Sequence, residues 1–196
     1  MNNRAKIFNS LQLIVGTNFV FNVKKESLHC LNGLGQLRAE TDNYLVTPSS
    51  IEEVQEILKF ANQELVRVVS MDHGANLNDQ NTDRSSIIID LKRMNRIIEV
   101  NEESRFVIIE AGVTNAMLTS YFNKHYPKLQ YNQVNNSLAE STVVGTALSS
   151  IYGCLSYKYG NTGEMINGFE VILPSGKVCY VGSCGISPAW FTRGPL

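Results

Sequence analysis

The chain has 196 residues, of which 43% are hydrophobic and 18% are charged. This length suits one domain, or two closely packed lobes, with a buried core. Lysine and arginine number 17 against 18 acidic residues, so the net charge is −1. That balance argues against a nucleic-acid-binding protein and against attraction to an acidic membrane surface. The hydrophobic fraction is too high for a disordered chain.

We expect neither a membrane span nor a metal site. No apolar run approaches the roughly 18 residues that cross a bilayer. Asn9, Ser10 and Gln12 interrupt the first apolar stretch, which is not typical of a signal peptide. Without a secretion signal, the four cysteines are interpreted as free thiols, and they form no CxxC pair. The sequence therefore predicts a soluble, cytoplasmic protein.

The first half predicts a helix, an irregular stretch, and then a helix followed by a strand. Apolar spacing indicates a helix over residues 5–15, and residues 16–40 are expected to be irregular. Ser50 and Glu53 have the spacing of a capping box, which begins a helix that runs to about Asn62. A short strand is predicted at residues 66–69. The polar loop that follows is long, as is typical of loops that bind a ligand.

The second half predicts more strands than helices. The expected elements, in order, are strands at 86–91, 97–100 and 106–110, a helix capped by Thr114, a polar loop at 126–141, a small-residue loop at 142–150, and strands at 169–173 and 177–181. Pro174, Ser175 and Gly176 predict the turn between the last two strands. Strands and helices do not alternate regularly, so the fold class is α+β and not a doubly wound nucleotide fold.

Two loops, at residues 70–78 and 141–149, are the candidate functional segments. Both are rich in small and hydroxyl-bearing residues and poor in basic ones. Such loops present backbone N–H groups that bind a pyrophosphate without positive side chains. Small residues also occur simply because they let two elements pack closely. Spacing alone leaves both interpretations open.

Several stretches together resemble one known family. They are 47–54 (TPSSIEEV), 87–101 (IIIDLKRMNRIIEVN), 109–113 (IEAGV), 142–145 (TVVG), 159–160 (YG) and 167–176 (NGFEVILPSG). In this order they resemble the FAD-binding domain of the vanillyl-alcohol oxidase and p-cresol methylhydroxylase (PCMH-type) flavoproteins. The resemblance covers roughly residues 44–181.

The resemblance implies an FAD-binding domain of two α+β lobes with the cofactor between them. We expect an N-terminal helix and irregular segment over 1–40, a first lobe over about 41–112 and a second over about 113–196. Enzymes of this family oxidise an alcohol, hydroxy acid or phenol by hydride transfer to the flavin. The residues implied to bind the cofactor are Met71, Asp72, His73, Gly74, Ala75, Asn76, Ser141, Thr142, Val143, Gly145, Thr146, Ser149 and Gly153.

The first loop departs from the family pattern. Family members usually have an Arg/Gly-rich loop where this chain has Met71, Asp72 and His73. An aspartate close to a pyrophosphate is unfavourable unless it turns outward. Some relatives attach FAD covalently through a histidine in this loop, and residues 66–73 (VRVVSMDH) look similar. The alternative, which we favour, is a solvated histidine beside Asp72. In the second loop, Val144 replaces the first residue of a Gly-Gly pair.

The resemblance also implies that further strands and a substrate domain follow Leu196 in related proteins. The chain is therefore expected to be a fragment of a larger FAD-linked oxidase or dehydrogenase, or a naturally truncated product. Alone, it is expected to fold, to self-associate as a homo-oligomer through an unpaired sheet edge, to hold little FAD and to be inactive. Two alternatives remain, a flavin-binding electron-transfer subunit and a degenerate, FAD-free interaction module.

Overall fold

The computed structural model describes residues 3–23, 43–71, 85–129, 131, 139–149, 152–153 and 156–182. We call the described residues up to Asp90 the first lobe and those that follow the second lobe. The first lobe is built on one four-stranded sheet. Its elements, in chain order, are α1 (Asn3–Val15), β1 (Val20–Val23), β2 (Asn43–Val46), α2 (Ile51–Gln63), β3 (Arg67–Met71) and β4 (Ser86–Asp90). The strand order is β1-β2-β4-β3. β1 pairs antiparallel with β2, whereas β4 pairs parallel with both of its neighbours.

Apolar side chains on β2 and β4 alternate between the two faces of this sheet, as the two-residue period of a strand requires. Tyr44, Val46, Ile87 and Ile89 pack with α1 and α2 on one face. Leu45 and Ile88 pack with Val23, Val69 and Met71 on the other. All five residues of β4 are buried, which is typical of the central strand of a parallel sheet.

The predicted capping box of α2 forms, with one change of partner. Ser50 Oγ accepts a hydrogen bond from the Glu53 N–H at 3.3 Å. The Glu53 carboxylate accepts from the Ser49 N–H at 2.7 Å instead of from the N–H of Ser50 itself. The two bonds together fix the start of the helix, whose buried stripe is Val54, Ile57 and Ala61.

The remaining elements include a separate core. They are β5 (Ile97–Asn101), β6 (Phe106–Ile109), α3 (Asn115–His125), α4 (Val143–Leu148), α5 (Ser156–Tyr159), β7 (Gly168–Ile172) and β8 (Val178–Gly182). β5 with β6, and β7 with β8, form antiparallel pairs. The core lies among β5, β6, α3 and the start of α4. Val113, Leu118, Phe122 and Val143 make its buried centre, and the inner face of the β5–β6 hairpin packs against it.

The β7–β8 hairpin contacts the first lobe through its turn. Gly176 has a φ of +79°, a conformation that glycine adopts readily. Its carbonyl accepts a hydrogen bond from Gln55 Nε2 on α2 at 2.6 Å. A Cβ on Gly176 would lie 2.8 Å from Cγ of Lys59, which is also on α2. The turn predicted at residues 174–176 therefore also connects the hairpin to α2.

The α+β fold class is confirmed, and two predictions about local structure are wrong. Residues 17–23 are not irregular, because a 3₁₀ turn at Thr17–Phe19 leads into β1, which is held in place by pairing with β2. Most of the small-residue loop predicted at 142–150 is the helix α4. The boundaries of the predicted lobes stay predictions. In the part of the chain that the structure describes, no helix is both long and apolar enough to cross a membrane.

Candidate functional site

The candidate site is built around α4 and the turn that enters it. Thr142 is the N-cap of α4, and its Oγ1 accepts a hydrogen bond from the Gly145 N–H at 2.9 Å. Thr142 has an extended backbone, with φ −71° and ψ 152°, as N-cap residues usually do. With six residues and a central glycine, α4 has little intrinsic helical stability. Its position therefore depends on contacts with the rest of the lobe.

Those contacts come from the segment that enters α3. The Val143 N–H donates to the Val113 carbonyl at 3.0 Å, and Thr114 and Thr142 form an isolated antiparallel bridge. The Asn115 N–H donates to the carbonyl of Ser141, also at 3.0 Å. These backbone bonds place residues 141–143 alongside residues 113–115. The segment that precedes α4 is thus held by backbone hydrogen bonds to the segment that precedes α3.

The side chain of Asn115 adds three further bonds to the same region. Its Nδ2 donates to the Ser141 carbonyl at 3.0 Å and to Thr146 Oγ1 at 2.9 Å. Its Oδ1 accepts from the Tyr131 hydroxyl at 2.9 Å. Asn115 and Thr146 are each only 1% exposed. Burial raises the pKa of Tyr131 to about 12, so this hydroxyl keeps its proton at neutral pH.

The structure brings together the predicted residues of the second loop but leaves most of the first loop undescribed. Asp72, His73, Gly74, Ala75 and Asn76 lie outside the described residues. Met71 ends β3, and its side chain packs in the core. That these residues bind the cofactor stays a prediction.

Thr142, Thr146 and Ser149 in the second loop each form a hydrogen bond through the side-chain hydroxyl within the protein. Thr146 Oγ1 donates to the Thr142 carbonyl at 2.8 Å, and Ser149 Oγ donates to the Gly145 carbonyl at the same distance. The Gly153 N–H donates to Ser156 Oγ, again at 2.8 Å. These bonds shape the segment. A ligand beside it would therefore meet mainly its backbone and its apolar atoms.

Thr162 provides a polar atom for such a ligand. It begins a 3₁₀ turn, Thr162–Met165, that packs against α4. Thr162 is 1% exposed, and its hydroxyl has no hydrogen-bond partner among the residues described. Leaving a buried hydroxyl unsatisfied costs about 1–3 kcal/mol. A phosphate-bearing or otherwise polar ligand beside α4 would satisfy this atom, so the residues present fit a bound cofactor.

A cleft of about 480 Å³ lies beside the start of α3. It is lined by Lys92 and Asn95 from the β4–β5 connection, by Gly112 and Thr114, and by Glu140. Gly112 packs tightly here, because a Cβ at this position would collide with the Leu91 carbonyl oxygen. Lys92 and Glu140 give the cleft one charge of each sign. It is therefore not selective for anions.

Sequence reasoning did not identify Asn115, Tyr131 or Thr162 as site residues. An asparagine in the first turn of a helix is ordinarily solvated, and no periodicity marks Thr162 as buried. The only signal was the Thr114 cap, which places Asn115 at the first helical position. In the described ranges, no three His, Cys, Asp or Glu side chains are grouped so that they could hold a metal ion, and Cys179 is a free thiol.

Comparison with known proteins identifies the domain. A family profile described as an FAD binding domain matches residues 43–182. The chain belongs to this FAD binding domain family. The match includes the parallel strands of the first lobe, the α4 segment and both strands of the β7–β8 hairpin. The predicted cofactor, FAD, is therefore confirmed at the level of the domain.

Relatives of known name agree with this assignment. The chain is 28% identical over 155 residues to the 4-cresol dehydrogenase [hydroxylating] flavoprotein subunit of Pseudomonas putida, covering 76% of this chain and 28% of that protein. It is 27% identical over 140 residues to glycolate oxidase subunit GlcD of Bacillus subtilis, covering 70% and 29%. The chain thus spans less than a third of the length of these relatives.

A solved structure confirms the fold. Substrate-bound p-cresol methylhydroxylase superposes with a TM-score of 0.77 at 22% identity, and the match covers 99% of this chain and 41% of that one. At this identity the superposition is evidence for the fold alone. It confirms the PCMH-type architecture that the sequence resemblance implied.

Proposed function

We propose that this chain is the cofactor-binding part of an FAD-linked oxidoreductase that oxidises an alcohol, a hydroxy acid or a phenol by hydride transfer to the flavin. The observation that carries the proposal is the match of residues 43–182 to an FAD binding domain. The named relatives include a 4-cresol dehydrogenase and a glycolate oxidase subunit, which supports a small organic substrate.

In this proposal the FAD pyrophosphate lies between residues 71–76 and residues 141–149. The second segment offers mainly backbone and apolar surface, because the hydroxyl groups of Thr142, Thr146 and Ser149 are already bonded within the protein. The hydroxyl of Thr162 would donate a hydrogen bond to the bound cofactor, since it has no other acceptor among the described residues. When bound, FAD supplies the redox chemistry. The chain positions the cofactor and limits the access of water.

Two further parts of the proposal concern the surroundings of the protein. We expect a cytoplasmic location for the protein. We expect self-association of the isolated chain, because the structure holds two separate two-stranded sheets whose outer edges are unpaired within the described region. Gel filtration with light scattering measures the second expectation, and a monomer would contradict it.

The enzymatic part of the proposal is tested by anaerobic reduction of the full-length flavoprotein. We expect at least one member of a panel of alcohols, 2-hydroxy acids and 4-alkylphenols to bleach the flavin band near roughly 450 nm. A flavoprotein that an artificial reductant reduces, but that no member of the panel reduces, would contradict this substrate class.

A second candidate is an electron-transfer subunit. It is favoured by the name of one relative, the flavoprotein subunit of a dehydrogenase, and by the 28% of that relative that this chain covers. In that case residues 1–196 alone would be a monomer saturated with FAD, and its flavin would exchange electrons with a redox partner but not with substrate. A chain that holds no FAD in any form would instead support a degenerate interaction module.

Attachment of the cofactor is tested separately. We expect FAD to be bound non-covalently, because we interpret His73 as a solvated side chain and not as the point of covalent attachment. Acid precipitation of the full-length protein should then release all of the flavin into the supernatant. Flavin that stays with the precipitate in the wild type, but not in His73→Ala, would instead establish a covalent bond.

A further inference from the structure

One buried side chain connects three separate stretches of the second lobe. Asn115 begins α3, and its polar atoms reach Ser141 before α4, Thr146 within α4, and Tyr131 in the segment between the two helices. Asn115 is 1% exposed, so water does not compete for these bonds. A hydrogen bond between buried partners is costly to break, because the partner left behind is not rehydrated.

These bonds determine where α4 begins. The Ser141 carbonyl accepts from both the backbone N–H and the side-chain Nδ2 of Asn115, each at 3.0 Å. Thr146 Oγ1 accepts a hydrogen bond from Asn115 Nδ2 and donates one to the Thr142 carbonyl, so two bonds fix the orientation of this hydroxyl. Because α4 has only six residues, these contacts contribute a large share of what fixes its orientation.

We propose that Asn115 is a positioning residue that holds residues 141–146 in the conformation that binds FAD. This inference rests on the proposed function, which places FAD against that segment. Asn115 does not itself contact the cofactor. Without its side chain, residues 141–146 sample other conformations, and the apparent dissociation constant for FAD rises in inverse proportion to the fraction of molecules in the binding-competent conformation.

The sharpest variant is Asn115→Asp. Aspartate has nearly the same shape as asparagine, so the change leaves no cavity, and Oδ1 can still accept from Tyr131. The second oxygen, however, cannot donate to the Ser141 carbonyl, and Thr146 could donate to it only by giving up its bond to the Thr142 carbonyl. A carboxylate in the first turn of a helix is otherwise favourable, because it interacts with the positive end of the helix dipole. Helix stability alone therefore predicts no loss.

Asn123→Asp is the matched control, because it makes the same chemical change on the exposed face of α3. FAD affinity is measured by quenching of flavin fluorescence in the full-length protein, well below the unfolding temperature of each variant. We expect Asn115→Asp to bind FAD about tenfold more weakly and Asn123→Asp to bind it as the wild type does. A purely structural role would lower the unfolding temperature but leave the low-temperature affinity unchanged.

The outcomes separate this inference from the function on which it rests. A wild type that binds no FAD contradicts the proposed function. A wild type that binds FAD, with equal affinity in folded Asn115→Asp, overturns the positioning role. If Asn115→Asp does not fold, uncharged Asn115→Ser replaces it, and unchanged affinity in that variant overturns the role in the same way.

Discussion

Buried polar side chains in the second lobe differ in whether the protein itself supplies their hydrogen-bond partners. Asn115 and Thr146 are as buried as any core residue, yet each has hydrogen-bond partners at 3.0 Å or less. Thr162 is equally buried, and its hydroxyl has no partner among the described residues. Native proteins leave few such atoms unsatisfied. The bonds of Asn115 and Thr146 lie within the protein, which agrees with the proposed role of Asn115 in positioning residues 141–146, whereas the hydroxyl of Thr162 is left for the proposed bond to the cofactor.

Stability at alkaline pH reports on the Tyr131 hydroxyl. Burial raises the pKa of Tyr131 to about 12, above the value near 10 of the unfolded chain. The folded state thus keeps a proton that the unfolded state loses. The resulting stability is fully present below pH ~10 and is lost as the pH rises towards ~12. We expect the wild type to lose on the order of 2 kcal/mol of unfolding free energy across this range.

Tyr131→Phe serves as the reference, because it cannot ionise. Urea unfolding of both proteins at a series of pH values gives the difference between their unfolding free energies. The difference attributable to Tyr131 should shrink as the pH rises above 10. Parallel pH dependences in the two proteins would contradict the assigned environment of this hydroxyl.

Gly145 tests the placement of the cofactor. It lies buried within α4, and Asp at this position introduces a side chain and a negative charge where FAD phosphates are proposed to approach backbone. We expect Gly145→Asp in the full-length protein to retain its fold and to lose most of its bound flavin. Asn123→Asp is the control, since it adds the same charge at an exposed position of α3, outside the segment proposed to contact FAD. Equal flavin content in the two variants would contradict the placement.

At the scale of elements, sequence predicts best those that carry local signals. The capped helices α2 and α3 begin where Ser50 and Thr114 predict, because an N-cap acts through bonds within one turn. β1 carries no such signal, since Phe21 and Asn22 are both exposed and the pattern does not alternate. It forms because β2 lies beside it. The sequence does not predict α4 as a helix either, because part of what fixes it is the side chain of Asn115, which is distant in sequence.

The contact between the β7–β8 turn and α2 gives a prediction at this scale. Gly176→Ala strains a backbone with φ +79° and moves Lys59, so we expect it to destabilise the protein by about 1 kcal/mol. Ser175→Ala, in the same turn but exposed, should cost less than half as much. Thermal unfolding of both variants measures the difference. Equal unfolding temperatures would show that the turn is not strained by a side chain.

At the scale of the whole molecule, the ordered set of motifs predicted more than any single one did. The stretches at 47–54, 87–101 and 167–176 are individually weak, but their order identified the family, which the match over residues 43–182 confirms. The site could be predicted only as a segment. Which side chains in it are buried depends on packing between α3, α4 and the Thr162 turn, and these are distant in sequence.

The visible absorption spectrum of the full-length protein, purified and then supplied with excess FAD and desalted, tests the central claim most directly. We predict flavin bands near roughly 370 and 450 nm that remain with the protein, because the chain contains an FAD binding domain. The Gly145→Asp variant, treated identically, should lose most of this absorbance. A folded wild-type protein that retains no flavin absorbance after this treatment would contradict the account.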